Sequence, residues 1–198
     1  MKNEIVAHND LKIRIEEDFF NSVDSNKLLK KFISKLPWES MMIKMFGKDT
    51  KIPRLQCWIG DEGCEYRYSG KQLNRQIWSQ DLIMIRKKIY KELKIDFNSV
   101  LANYYRDGKD SMGWHSDDEK ELGPNPTIAS ISFGSERDLV FRNKITKETL
   151  AIPQTNGCLI LIDGETQRNW QHSIKKTQKV IGPRINLTFR NIINKNNF

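Results

Sequence analysis

A mainly β domain with flanking helices and a jelly-roll core is the fold class this sequence predicts, and three observations carry that expectation. After Asn98 the chain breaks into short alternating or apolar runs separated by turn residues. Apolar residues at helical spacing are confined to two stretches in the first half. A chain of 198 residues with 38% hydrophobic content suits one domain, 1–198, with a sizeable core.

Taken in order, residues 1–10 are polar and read as a flexible tail, as do 193–198. Residues 11–15, Leu-Lys-Ile-Arg-Ile, alternate like a half-buried strand. Ser25 reads as the N-cap of a helix in which Leu28, Leu29, Phe32, Ile33 and Leu36 recur until Pro37. Residues 38–46 read as a strand running into a tight connection at Phe46-Gly47-Lys48-Asp49, with 53–59 as its hairpin return. Tyr66 and Tyr68 fall two apart in a short strand ending at Ser69-Gly70. Ser79 caps a second helix with Leu82, Ile85, Ile89 and Leu93 on its apolar face. Strands are then expected at 99–105, 111–114, 128–133, 139–142, 149–152, 158–162, 170–174 and 184–192, punctuated by Asp107-Gly108, Gly134, Asn156-Gly157, Asp163-Gly164 and Gly182-Pro183. Short strands in that number and at that spacing point to a jelly roll.

The net charge is +8, with lysines spread along the chain, which favours polyanionic partners, nucleic acid before membrane surface. No run of about 18 apolar residues occurs and the start lacks the apolar core of a signal peptide. A soluble intracellular monomer is expected, nuclear in a eukaryote and cytoplasmic in a bacterium, with no membrane partner. Cys57, Cys64 and Cys158 are odd in number and form no C-x-x-C pair, so they read as core or strand residues.

The chemistry centres on Trp114-His115-Ser116-Asp117 and on His172. There are three histidines in all, and the third, His8, lies in the polar leader. In an extended segment residues i and i+2 share a side, so His115 and Asp117 can converge while Ser116 points away. With His172 arriving from another strand, two imidazoles and a carboxylate make a facial triad suited to non-haem Fe(II), although Mn, Co or Ni would also accept it. An isolated His-x-Asp is a common accident, so context decides.

That context is Arg184-Ile185-Asn186-Leu187-Thr188-Phe189-Arg190. Period-2 alternation puts Arg184, Asn186, Thr188 and Arg190 on one face and the apolar residues on the other. The polar face either lies in water on an edge strand or lines the barrel interior. In the second case two guanidiniums about 20 Å apart along the strand, at ~3.3 Å per residue, address different parts of an anionic site. Asn103 and Tyr105 share a face just before the triad and could complete the pocket.

Asn103-x-Tyr105, His115-x-Asp117, His172 and Arg184-x-Asn186-x-Thr188-x-Arg190, in that order, resemble the AlkB family of Fe(II)/2-oxoglutarate-dependent dioxygenases over roughly residues 44–192. The resemblance implies a double-stranded β-helix with Fe(II), 2-oxoglutarate and O2. It implies Arg184 at the distal carboxylate of 2-oxoglutarate, Arg190 near the carboxylate beside the metal, and Asn103 and Tyr105 assisting. The implied activity is repair of N-methylated bases such as 1-methyladenine and 3-methylcytosine in DNA, with loss of formaldehyde and formation of succinate.

A base must leave its stack to reach such a centre. By resemblance, residues 38–70 recognise the nucleotide, Tyr68 and the His115 ring form its walls, and Tyr66 with Glu119 or Asp118 contacts its edge, with Ser69 and Arg142 as further contacts. Tyr66 and Tyr68 read equally well as strand packing. Phe46 matches in position the apolar finger of a duplex-acting family member, or folds back on the core. The segment 163–167 resembles a member acting on single strands instead, and the basic cluster expected before the final strand is altered here to Lys175-Lys176-Thr177-Gln178-Lys179. Arg54, Arg67, Arg142, Lys144, Lys175, Lys176 and Lys179 are candidate phosphate contacts, each also readable as a plain solvated charge. The competing readings are an RNA or protein demethylase of the same family, and a damaged-base binding module without turnover.

Overall fold

The structure is a computed structural model that describes residues 3–8, 10–45, 47–68 and 71–193. The chain opens with β1 (Asn3–His8), β2 (Leu11–Glu16) and α1 (Ser22–Lys35), followed by β3 (Met42–Met45), β4 (Lys48–Lys51) and β5 (Leu55–Gly60). Short strands β6 (Arg67–Tyr68), β7 (Lys71–Gln72) and β8 (Arg75–Gln76) lead to α2 (Gln80–Leu93). Then come β9 (Ser99–Tyr105), β10 (Met112–His115), β11 (Ile128–Gly134), β12 (Arg137–Asn143), β13 (Thr149–Gln154) and β14 (Leu159–Ile162). The short α3 (Thr166–Asn169) precedes β15 (Trp170–Ile174) and β16 (Arg184–Arg190).

Two sheets carry the fold. The larger runs β1-β2-β14-β11-β16-β9-β5-β8 and the smaller β10-β15-β12-β13, with β3–β4 and β6–β7 as separate hairpins. The jelly roll follows from how residues alternate on the large sheet. Ile185, Leu187 and Phe189 of β16 pack with Ala129, Ile131 and Phe133 of β11 against Leu28 and Phe32 of α1 and Leu82, Ile85 and Ile89 of α2. Residues on the opposite face, among them Leu101, Tyr105, Ile128 and Ile160, join Phe141, Ile152, Trp170 and Ile174 of the small sheet in a second core. Both faces of the central strands are therefore buried, one beneath helices and one inside the roll. β16 sits between β11 and β9, with Arg184 opposite Tyr105 and Asn186 opposite Asn103. Gly134 closes β11 at φ +94, where an added Cβ would meet the Pro183 carbonyl oxygen at 2.3 Å, so the loop entering β16 lies tight on that turn.

Several expectations are corrected. Residues 3–8 are not a free tail: β1 pairs with β2 from Asn3↔Glu16 to His8↔Leu11, and Val6 packs against the core. The free edge of β2 takes up backbone hydrogen bonds that a polar leader would otherwise give to water. α1 starts at Ser22, capped by Asn21, whose side chain accepts the Asp24 N–H at 2.9 Å. Ser25 is buried inside the helix, its hydroxyl directed at the Phe20 carbonyl. The hairpin is β3–β4, and the segment expected as its return is β5 of the large sheet, paired with β9. A strand buried on both sides, as Cys57, Trp58 and Ile59 are, belongs within a sheet rather than in a two-stranded ribbon. β13 runs on through Pro153 to Gln154, which an edge strand permits. Residues 194–198 lie outside the described residues.

The α2 cap at Ser79 and the bounds of β9 and β15 agree with the sequence. The three cysteines are buried and free. Burial pushes the Cys57 thiol up to about 12 and the Cys158 thiol up to about 11, which makes both inert. Among the described residues no helix is long and apolar enough to cross a membrane.

Candidate metal centre and active site

β10 and β15 are paired so that His115 stands opposite His172, their ring centroids 4.2 Å apart. Asp117 follows two residues later, and one ligand atom from each of the three lies within 4.8 Å of the others. The His115 Nδ1 is 2.9 Å from the Gly113 carbonyl oxygen, which leaves Nε2 for a metal. Asp117 is held from two directions. Its N–H donates to Gln167 Oε1 at 3.0 Å, and its Oδ1 accepts from Arg190 Nη2 at 2.6 Å. Its Oδ2 is buried without a hydrogen-bond partner, 3.6 Å from His172 Nε2. Ser116, pointing away, donates to the Trp170 carbonyl at 2.9 Å.

The protonation states are those of ligands. Burial drives the His172 imidazole down to about 3, reinforced by His115, and burial also lowers His115. Burial alone would raise the Asp117 carboxyl, but Arg190 and the two imidazoles outweigh it and hold it at about 2. Two neutral imidazoles and a carboxylate therefore meet at neutral pH, the form that takes up a divalent ion.

The polar face of β16 lines the same cavity as Asn103, Tyr105, His115, Asp117 and His172. Arg184, Asn186, Thr188 and Arg190 are all buried there. Asn186 and Thr188 form a framework: Asn186 Nδ2 donates to Ser130 Oγ at 2.8 Å and to the Ile131 carbonyl at 3.1 Å, while Thr188 donates to Asn186 Oδ1 at 2.9 Å. Asn103 Oδ1 accepts from Arg54 Nε at 2.8 Å. The Tyr105 ring lies 5.0 Å from the Arg184 guanidinium carbon.

Arg184 is 1% exposed, and no carboxylate among the described residues lies within ion-pair distance. Its Nη2 donates to Ser132 Oγ at 2.8 Å and to Gln154 Oε1, while Nε and Nη1 make no close hydrogen bond among the described residues and have Tyr105 as a weaker polar neighbour. A buried cation with only neutral neighbours is costly unless an anion meets it, so the cavity fits a carboxylate-bearing co-substrate reaching from the metal to Arg184.

The remaining candidates divide. Tyr66 is fully buried beneath Arg190, whose guanidinium carbon is 5.8 Å from its ring, and its hydroxyl faces Glu119. Glu119 lies against that hydroxyl, half-buried. Burial and then the Asp117 charge push the Glu119 carboxyl up to about 7. Asp118 is exposed, 3.7 Å from Lys144 Nζ. Arg142 stacks 4.2 Å over the Trp114 ring and donates to Gln171. Phe46, Ser69 and the Tyr68 side chain lie outside the described residues. Arg54 is corrected: it is 3% exposed and turned inward to Asn103, so it cannot meet a phosphate. Arg67, Lys175, Lys176 and Lys179 are exposed, and Lys144 donates to the Gln167 carbonyl at 2.9 Å.

The residues that sequence reasoning missed are Ser130, Ser132, Gln154 and Gln167. Ser130 and Ser132 carried a signal, two hydroxyls at i and i+2 inside an otherwise apolar run. Gln154 was hidden behind Pro153, and Gln167 behind a loop.

The comparisons with known proteins agree with this geometry. A family model described as the 2OG-Fe(II) oxygenase superfamily matches residues 12–190. Mouse DNA oxidative demethylase ALKBH2 is 34% identical over 185 residues, covering 88% of this chain and 77% of the relative. Human ALKBH2 is 40% identical over 159 residues, covering 76% and 61%. Mouse alpha-ketoglutarate-dependent dioxygenase alkB homolog 3 is 34% identical over 183 residues, covering 88% and 64%, so the chain spans less than two thirds of these last two relatives. The solved structure of OsALKBH1 superposes with a TM-score of 0.62 at 13% identity, over 90% of this chain and 97% of that one, a likeness of fold. With its triad, its buried arginine strand and these matches, the chain belongs to the AlkB family of the 2OG-Fe(II) oxygenase superfamily and is a dioxygenase.

Proposed function

We propose that this dioxygenase removes N-methyl groups from bases of DNA, acting as a monomeric single domain. The observation that carries the reading is the buried pair next to the triad, the Tyr66 hydroxyl and the Glu119 carboxyl, which lie against each other. They are hydrogen-bonding groups set where a flipped base edge would arrive. The names of the relatives, DNA oxidative demethylase among them, support the substrate.

When bound, Fe(II) and 2-oxoglutarate supply the oxidising power that puts one atom of O2 into a methyl C–H bond and the other into succinate, with loss of CO2. The protein's residues do the rest. His115, Asp117 and His172 hold the ion, and Arg190 keeps the Asp117 carboxylate ionised and aimed. Arg184 receives the distal carboxylate, with Tyr105 flanking it and Asn103 held by Arg54. Tyr66 and Glu119 read the base edge, and Tyr68 and the His115 ring wall the base. Glu119, or else the exposed Asp118, offers negative charge to a cationic lesion such as 1-methyladenine, which favours it over the neutral base. The hydroxymethyl group so formed leaves as formaldehyde, and the ring nitrogen keeps the electron pair of the broken bond.

Residues 38–70, with Phe46 and Ser69, are assigned to nucleotide recognition, and Arg67, Arg142, Lys144, Lys175, Lys176 and Lys179 to phosphate contacts. The test is formaldehyde release from one lesion placed in single-stranded DNA, duplex DNA and single-stranded RNA, with Fe(II) and 2-oxoglutarate. Release from DNA that disappears in His115→Ala is expected. Turnover confined to RNA or to methylated peptides would overturn the DNA assignment, and binding of damaged DNA without 2-oxoglutarate consumption would overturn the enzymatic one.

A further inference from the structure

Resting on the co-substrate site proposed above, we infer that Gln154 is a positioning residue that aims Arg184 at the distal carboxylate of 2-oxoglutarate. Gln154 is 1% exposed and ends β13, paired with Arg137 in the β12–β13 register. Its carboxamide is oriented from both sides. Oε1 accepts from Arg184 Nη2, and Nε2 donates to Ser130 Oγ at 3.3 Å, the same hydroxyl that accepts from Asn186 at 2.8 Å. Ser132 Oγ is the second acceptor on that Arg184 nitrogen, at 2.8 Å.

Arg184 needs such a guide because nothing else orients its guanidinium by charge. The other arginine of the strand is fixed by the Asp117 carboxylate. Arg184 has Tyr105 alongside and two neutral acceptors on one nitrogen, so no charged group among the described residues holds it and Nε and Nη1 make no close hydrogen bond there. Neutral acceptors suit the task better than a carboxylate would: they orient the cation without cancelling the charge that the co-substrate must meet. Pro153, whose ring fixes its own φ, stiffens the strand just before Gln154.

The test is calorimetric titration of 2-oxoglutarate into Mn(II)-loaded protein without nucleic acid, alongside steady-state turnover. Gln154→Leu keeps the volume and removes the acceptor. A rise in Kd of about tenfold or more is expected, as for loss of a hydrogen bond to a charged group. The KM for 2-oxoglutarate should rise in parallel, and the KM for the methylated oligonucleotide should stay within about twofold. Gln154→Glu, nearly isosteric, puts a competing carboxylate on Arg184 and should weaken 2-oxoglutarate more than the leucine does. Thermal denaturation checks that both variants fold. A leucine variant with the Kd of the unmodified protein, or a glutamate variant that binds as tightly as the leucine one, overturns the role of Gln154. Failure of the unmodified protein to bind 2-oxoglutarate instead overturns the reading of the site.

Discussion

Arg184 and Arg190 stand at the two ends of β16, on the same face and equally buried, yet they live in opposite electrostatic surroundings. Arg190 donates to Asp117 at 2.6 Å, and the carboxylate raises its pKa against the burial that opposes it. Arg184 meets only neutral acceptors and its pKa is lowered, chiefly by burial. One arginine is compensated within the chain and serves the metal. The other meets no carboxylate among the described residues, which suits it to the carboxylate of a ligand. The contrast teaches where structure ends and ligand begins: a fully paired charge is scaffold, and an unpaired buried one marks a site.

The contrast can be broken most forcibly at the compensated end. Arg190→Met leaves the Asp117 carboxylate buried without its cation. A loss of ~3–5 kcal/mol of stability is expected, measured by urea denaturation, with metal affinity falling as Asp117 loses its orientation. A variant as stable as the unmodified protein would mean that the ion pair is not structural.

The metal end should also answer to pH, because His172 titrates there. Its folded pKa, at about 3, lies below the ordinary histidine value, so between those limits the unfolded chain binds more protons than the folded one. Stability of the metal-free protein is therefore full above about pH 6.5 and falls as pH drops, by up to about 1.4 kcal/mol per pH unit for this one proton. Denaturation midpoints between pH 7 and 4 measure this. A flat profile would contradict neutral, buried imidazoles. The smallest effect belongs far from both arginines. Neutralising exposed Lys176 and Lys179 should lower the slope of log affinity for DNA against log salt by roughly one per true phosphate contact, with the affinity for 2-oxoglutarate unchanged.

Much of the site was legible from alternation alone. A period of two assigned the faces of residues 184–190, and the scarcity of histidines singled out His115 and His172. What alternation does not encode is which cation meets which anion. The Arg190–Asp117 pair depends on how β16 faces the chain just beyond β10, and nothing in the spacing of either stretch declares it. Arg54 shows the converse: it reads as a surface charge and is buried against Asn103, because burial of a charge is decided by partners remote in sequence. The helix cap moved from Ser25 to Asn21 since both residue types cap well and only the preceding Phe19 and Phe20, packed into the core, decide where the turn begins. Gln154 escaped notice because Pro153 reads as a strand terminator, whereas an edge strand tolerates it.

The uncompensated arginine is tested most directly by thermal denaturation of Arg184→Met, with Mn(II), in the presence and absence of 2-oxoglutarate. Ligand at about a hundredfold over Kd should stabilise the unmodified protein by ~2.7 kcal/mol. In Arg184→Met that ligand-induced shift should vanish, while the unliganded variant melts no lower than the unmodified protein, since a costly unpaired charge is gone. A variant that keeps the full shift would contradict the assignment of Arg184 to the co-substrate.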